Sequence, residues 1–258
     1  MKKLLYILPL ALLTACNPPA RLETEQLTAQ ETVYLTPEHR DSLYLSFEIE
    51  YPTSIESGTV LRRVQADLTG RLFGEGYAGK PVREAMQEYI GVARQEYVQN
   101  NLAFAHTSAE DSDFPTVLCE EQFLTGRIVY CDDKVMSYNI EQYVYMGGAH
   151  GMNSNFYHNY SLQSGNRLGE GDLFEGDWQE GIGVLLRTAL VEQSEEFASA
   201  EEMQAAGFDL SQVLPNGNFF FSEDGLTWSY TPYEIAPYVF GETEVFLTWD
   251  ELAHWRKQ

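Results

Sequence analysis

Cysteine, histidine and carboxylate side chains are the residues of this chain that could do chemistry, and each is placed differently. Cys16 closes a short N-terminal block in which Lys2 and Lys3 precede the apolar run Leu4 to Leu13 and the small-residue end Leu13-Thr14-Ala15. That order is a signal for export, and the run is too short to span a bilayer as a helix. The five histidines, His39, His106, His150, His158 and His254, are scattered without the spacing of a metal-ligand set, so no metal or other cofactor is expected. His150 alone sits in a distinctive frame, Tyr145-Met146-Gly147-Gly148-Ala149-His150-Gly151. Gly147, Gly148 and Gly151 can supply positive φ for a tight connection, and His150 can bond backbone groups to lock it. With no nucleophile or second histidine at a motif spacing, that structural role outweighs a role as base or ligand. Glu234 lies in Tyr233-Glu234-Ile235-Ala236-Pro237-Tyr238, a segment that Pro232 and Pro237 keep out of a regular ladder. A carboxylate there serves best as an acceptor that pins the loop. Adjacent carboxylates such as Glu195-Glu196 and Glu201-Glu202 face water on helices more readily than they flank a sugar.

Cys119 and Cys131 are the other two thiols, and in an oxidising compartment they would pair if geometry allowed. A hairpin turn at Thr125-Gly126 would set the sulfurs opposite each other and permit a disulfide. One continuous strand from Val117 to Tyr130 would hold them about 40 Å apart, at ~3.3 Å per residue. The stronger turn at Asp132-Asp133-Lys134 favours the strand.

The elements that must position these residues alternate between strand and helix runs. Thr32 to Tyr34 and Leu43 to Tyr51 read as strands, the second with Leu43, Leu45, Phe47 and Ile49 on one face. Val60, Leu61, Val64, Leu68 and Leu72 recur at helical spacing, and Pro81 opens a second helix carrying Val82, Met86, Tyr89, Ile90, Ala93 and Tyr97. Strands follow at Val117 to Tyr130, Val135 to Tyr145 and Phe156 to Leu162, the last closed by a turn at Gln163 to Asn166. Gly171 to Gly181 reads as a loop, Ile182 to Val191 as a helix, and Glu201 to Ala206 as a short helix ended by Gly207. Asn218 to Phe221, Leu226 to Tyr230 and Thr243 to Leu247 are strands, and Thr248-Trp249-Asp250-Glu251 is a capping box. Segregated strands and helices predict an α+β protein with antiparallel sheets, helices packed on one side, and two interleaved small subdomains.

The N-terminal block resembles a bacterial lipoprotein signal, and the resemblance implies that residues 1–15 are removed and that Cys16 carries the lipid. Residues 16–31, polar and containing Pro18-Pro19, are expected to act as a tether. The remainder divides into a subdomain over 32–165 and another over 166–258, and 44% hydrophobic and 13% aromatic composition is ample for folded cores.

Two separated signatures carry a second resemblance. The frame at 145–151, followed by Tyr160 to Asn166 and Asp172-Leu173-Phe174, together with Gly225-Leu226-Thr227-Trp228 and Tyr233 to Tyr238, resembles the extracellular modules of RsiV-type lysozyme-sensing anti-sigma factors and PdaC-type peptidoglycan deacetylases. The deacetylase resemblance brings no activity with it, because the Thr-Phe-Asp-Asp run and paired histidines of that family's separate metal-dependent domain are missing from this sequence. No nucleophile elbow, phosphate loop or His-Glu-x-x-His occurs either, so no enzymatic function is expected. What the resemblance implies is a binding module on the cell envelope, anchored in the membrane by its N-terminal lipid. Formal net charge is −23, and loss of Lys2 and Lys3 with the signal leaves it near −25. Such a surface repels nucleic acid and attracts basic partners by long-range steering. A basic wall-acting protein, lysozyme first, is therefore one expected ligand, and peptidoglycan is the alternative. Aromatic side chains clustered in a cleft would favour the second.

Overall fold

In the computed structural model, residues 22–36, 41–107 and 119–257 are described. Cys16, expected to carry the lipid, and the expected signal over 1–15 lie outside them. Among the described residues nine strands and six α-helices build two hydrophobic cores, and the class is mixed α+β.

The first core lies under a six-stranded sheet ordered β1 (Glu23–Tyr34), β2 (Ser42–Ser54), β3 (Glu120–Cys131), β4 (Val135–Tyr145), β5 (Met152–Ser161) and β6 (Arg167–Leu168). One face carries Leu27, Leu43, Leu45, Phe47 and Ile49, all buried against α1 (Gly58–Phe73) and α2 (Val82–Thr107). Ser57 caps α1 by accepting from the Val60 amide, and the stripe Val60, Val64, Leu68 and Leu72 faces inward. Phe73 sits within 6.4 Å of Phe47 and 5.7 Å of Tyr89, which ties both helices to β2 through aromatic contacts.

Three features depart from the sequence reading. First, the tether expected over 16–31 is strand from Glu23 onward: β1 pairs with β2 along its whole length, Leu27 is fully buried, and Glu25 and Glu31 form ion pairs with Arg83 and Arg94 of α2. Second, the sheet is not wholly antiparallel, because β2 and β3 run parallel, with the two helices in the crossover that a parallel pair requires. Third, the segment read as a loop over Gly171 to Gly181 contains α3 (Glu170–Leu173) and the first turn of α4 (Trp178–Glu192).

β3 runs unbroken from Glu120 to Cys131, so the hairpin alternative at Thr125-Gly126 is not what the chain forms. Cys119 and Cys131 stand at opposite ends of one extended strand, a separation that a disulfide between the two cannot bridge. Gly126 is needed for a different reason: a Cβ there would meet the Tyr138 hydroxyl, which donates to the Glu50 carbonyl at 2.7 Å.

The second core belongs to the sheet β7 (Phe219–Phe221), β8 (Gly225–Tyr230) and β9 (Thr243–Thr248), packed with α4, α5 (Ala200–Ala206) and α6 (Trp249–Leu252). Gly207 ends α5 in the left-handed region, and Thr248 and Glu251 form the reciprocal capping box of α6. A buried carboxylate, Glu170, accepts from the Trp228 indole at 2.7 Å and the Gly217 amide at 3.1 Å, and burial raises its pKa.

The two sheets meet on the helix-free face of the first. Ser137 donates to Asn159 at 2.6 Å and accepts from the Phe221 amide at 3.0 Å, while Asn159 donates to the Phe219 carbonyl at 2.8 Å. These polar groups are fully buried and fully paired, which fixes one docking register. Asn155 and Tyr157 of β5 extend that cover, Asn155 bonding to Glu242 and Tyr157 donating to Glu244 and stacking on Phe220.

Candidate functional site

The β4–β5 connection and the loop after β8 lie more than eighty residues apart in the chain, yet the fold presses them together. In the first, Gly147 and Gly148 adopt φ of 79° and 115°, so both glycines serve the left-handed turn that their spacing predicts. Gly151 does not. It is absent from the positive-φ residues, and its lack of a side chain instead lets the Tyr143 ring lie where a Cβ would project.

His150 Nδ1 is 3.0 Å from the Gly151 carbonyl, and the same carbonyl accepts from the Tyr238 hydroxyl at 2.7 Å. The imidazole stacks on the Tyr238 ring at 4.0 Å, and Tyr238 stacks on Tyr233 at 5.5 Å. His150 thus joins the two segments, and it is exposed rather than held in a pocket with a nucleophile. His158 stands on β5 in other company, half-buried, with its pKa lowered to about 4 by burial and by the positive charges of Arg167 and Arg71.

The second segment hangs on buried side chains. Ile235 and Ala236 plug into the second core, and the Ile235 carbonyl accepts from the Asp209 amide at 2.8 Å. Pro237 packs against Gly207, where any Cβ would clash with its ring. Glu234 accepts from the Thr231 amide at 2.9 Å, the Thr231 hydroxyl at 3.1 Å and the Asn216 side chain at 2.8 Å. Both of its oxygens are engaged in pinning the loop. Tyr233 is the single non-glycine residue at positive φ among the described residues, at 72°. Tyr233 has 58% of its surface exposed.

What this arrangement offers chemically is contact area. Tyr233 stacks on Tyr238 as Tyr238 does on His150, and the same two segments carry Met146 at 71% exposure and Val239 at 82%. Among the described residues no group of His, Cys, Asp or Glu has the arrangement of a metal site. Met146 lies inside the first quoted signature and Val239 directly follows the second, and neither belongs to the apolar periodicity of an element, which is the signal by which sequence alone could have found them.

Residues 171–250 match the family model described as protein of unknown function (DUF3298), and residues 38–153 match the model described as deacetylase PdaC. The chain is similar in structure to a DUF3298 family member from Bacteroides fragilis, with a TM-score of 0.85 at 22% identity over 92% of this chain and 94% of that one. A DUF3298 family protein from Pseudomonas aeruginosa aligns over the same shares with a TM-score of 0.57 at 16% identity. Both likenesses establish the fold. Comparison with curated proteins gives no match.

Proposed function

We propose that the protein is a non-catalytic binding module of the cell envelope, held there by lipid on Cys16, and that its contact surface is the patch where the two signatures meet. The observation that carries this reading is that two segments joined by His150, Tyr238 and Gly151 expose Tyr233, Met146 and Val239 on a chain of net charge −23. Exposed aromatic and methionine side chains surrounded by charge are the anatomy of a protein interface. Surplus negative charge suits a strongly basic partner, and an animal-type lysozyme is the first candidate. Peptidoglycan is the second reading, favoured by the stacking of His150, Tyr238 and Tyr233.

The test is a lysozyme titration at low and physiological salt, with cytochrome c as a basic protein lacking any wall-directed role. Association steered by charge slows several-fold as salt rises, whereas dissociation changes less. Tyr233→Ala should weaken lysozyme binding about tenfold or more if Tyr233 is an anchor residue. Equal affinity for both proteins, or no lysozyme binding at low salt, removes the partner assignment. For the anchor, Cys16→Ala should release the protein from the membrane fraction or leave the signal uncut; unchanged partition counts against lipidation.

A further inference from the structure

The two ends of the six-stranded sheet are finished differently. At one end β6 is only Arg167–Leu168, and where it stops the Asn218 side chain takes over the edge of β5, donating to the Asn155 carbonyl at 2.9 Å and accepting from the Tyr157 amide at 2.8 Å as a neighbouring strand would. That edge is blunted. At the other end β1 pairs with β2 alone, so every second residue along Glu23–Tyr34 turns its N–H and C=O outward. Exposed edges are ordinarily protected by Lys, Pro, bulges or inward-pointing charges. β1 holds no Lys, Arg, Pro or Gly, and its register irregularity falls at its very start, Glu23/Thr24. Its inward Glu25 and Glu31 are already matched by Arg83 and Arg94 of α2.

The residue order of β1 is complementary to itself. With Thr28 on a two-fold axis, antiparallel pairing sets Thr28 against Thr28, Gln26 against Gln30 and Thr24 against Thr32, all of them exposed on the helix-free face. Thr opposite Thr and Gln opposite Gln can exchange hydrogen bonds, because each side chain both donates and accepts. On the helix side the same register brings Leu27 to Ala29 and Glu25 to Glu31. Two bare carboxylates there would repel each other. Each brings its own cation, however: Arg83 lies 2.5 Å from Glu25, and Arg94 lies 3.2 Å from Glu31. Two carboxylates would therefore meet two guanidinium groups at each of two symmetric places. Both arginines are more than half exposed, at 61% and 55%, which leaves N–H donors for the neighbouring carboxylate.

We propose that β1 is a self-association edge: two copies of the chain pair antiparallel about Thr28 and join their sheets into one. Such an interface uses the same strand on both copies and closes on itself, so it stops at a dimer. The charge balance argues for this occupant. A second copy neutralises every Glu25 and Glu31 it brings, whereas a basic protein finds in the uncharged Thr and Gln ladder nothing to pair with. The edge is remote in sequence from the signature patch and goes beyond the partner reading, since a dimer carries two copies of the patch around Tyr233. Each chain has a net charge of −23, so the copies repel at long range and salt favours their association.

The test is sedimentation of the full chain in detergent over a wide range of protein concentration, at low and physiological salt. A reversible monomer–dimer equilibrium should appear, with the dimer gaining as salt rises, the reverse of charge-steered binding to a basic protein. Thr28→Lys puts two like charges face to face on the axis and should weaken the dimer about tenfold or more. The position is exposed, so an unchanged melting curve for that variant separates a broken interface from a misfolded chain. Register is read by cross-linking under mild oxidation, with the parent protein as control. Thr28→Cys should link to itself, whereas Gln26→Cys and Gln30→Cys should link when mixed and not alone. Tyr233→Ala should leave the dimer intact, so failure of self-association and failure of the partner reading are seen separately. A monomer at every concentration, a dimer that survives Thr28→Lys or dissociates as salt rises, or equal cross-linking of Gln26→Cys alone and Thr28→Cys would overturn the proposal.

Discussion

The two faces of the first sheet are built by the same strands and follow opposite rules. On the covered face, successive inward residues of β2 are Leu43, Leu45, Phe47 and Ile49, and every one is buried against helices. On the other face the alternate residues Tyr44, Ser46, Glu48 and Glu50 obey no hydrophobic pattern, and their neighbours on β1 and β3 are Thr, Gln, Phe and Glu. The covered face is constrained by packing, so exchange of any residue is felt as lost stability. The open face has no such constraint, and the residues found there are free to be chosen by what they touch outside the molecule.

The sharpest way to break that contrast is to truncate the covered face. Leu68 of α1 is fully buried against the sheet, and Leu68→Ala should cost about 2–5 kcal/mol, through lost transfer energy and the cavity left behind. Thr28→Ala on the exposed side of β1 should stay within about 0.5 kcal/mol. Chemical denaturation of both variants measures the gap; similar losses would mean that the open face is covered by something beyond the described residues.

Smaller effects are expected at Gly151, where the two regions touch. Gly151→Val puts a branched side chain into the Tyr143 ring and should cost about 1–3 kcal/mol by overpacking, while the φ there gives no additional penalty. Gly148→Val meets open space, yet its φ of 115° imposes strain of about 1–3 kcal/mol on a β-branched residue. If Tyr143→Ala rescues Gly151→Val but not Gly148→Val, the distinction between crowding and backbone strain holds.

How much of this was legible before folding follows from the range of each interaction. The helix stripes, the Thr248 capping box, the Gly147-Gly148 turn and the Gly207 stop depend on residues within one or two turns, so spacing reveals them. β1 was missed before Thr32 because its outward side is polar and its inward Glu25 and Glu31 are matched by Arg83 and Arg94, about sixty positions away. The parallel pairing of β2 with β3 has the same cause, since nothing local distinguishes a strand that returns beside its partner from one that turns back. At the signature patch, each segment was recognisable alone. Their conjunction, and with it the stack of His150 between Gly151 and Tyr238, needs the whole chain.

His158 sharpens the comparison by titration. Its pKa is lowered to about 4 in the folded chain from an ordinary value of 6.5, so the unfolded chain binds the extra proton first as pH falls. Stability from this group is therefore intact above about 6.5 and is lost between 6.5 and 4, by about 1–2 kcal/mol for a half-buried ring. Glu170 and Glu244, whose pKa values burial raises, act in the opposite sense, so the informative quantity is the difference between the protein and His158→Asn. Denaturation midpoints that fall with pH equally in both would show that His158 does not supply the loss.

His150 should give the smallest effect, because it is exposed and its contribution to folding is one stack and one contact with the Gly151 carbonyl. His150→Ala should cost about 0.5–1 kcal/mol, the scale of a single ring pair. Tyr238 keeps its hydrogen bond to Gly151 in that variant, so the loop should remain in place and lysozyme binding should fall less than for Tyr233→Ala. The ratio of the two losses decides what the histidine is. A protein with an unchanged melting temperature and abolished binding would make His150 a contact residue in its own right, whereas parallel modest losses in both would leave it as the residue that positions Tyr238.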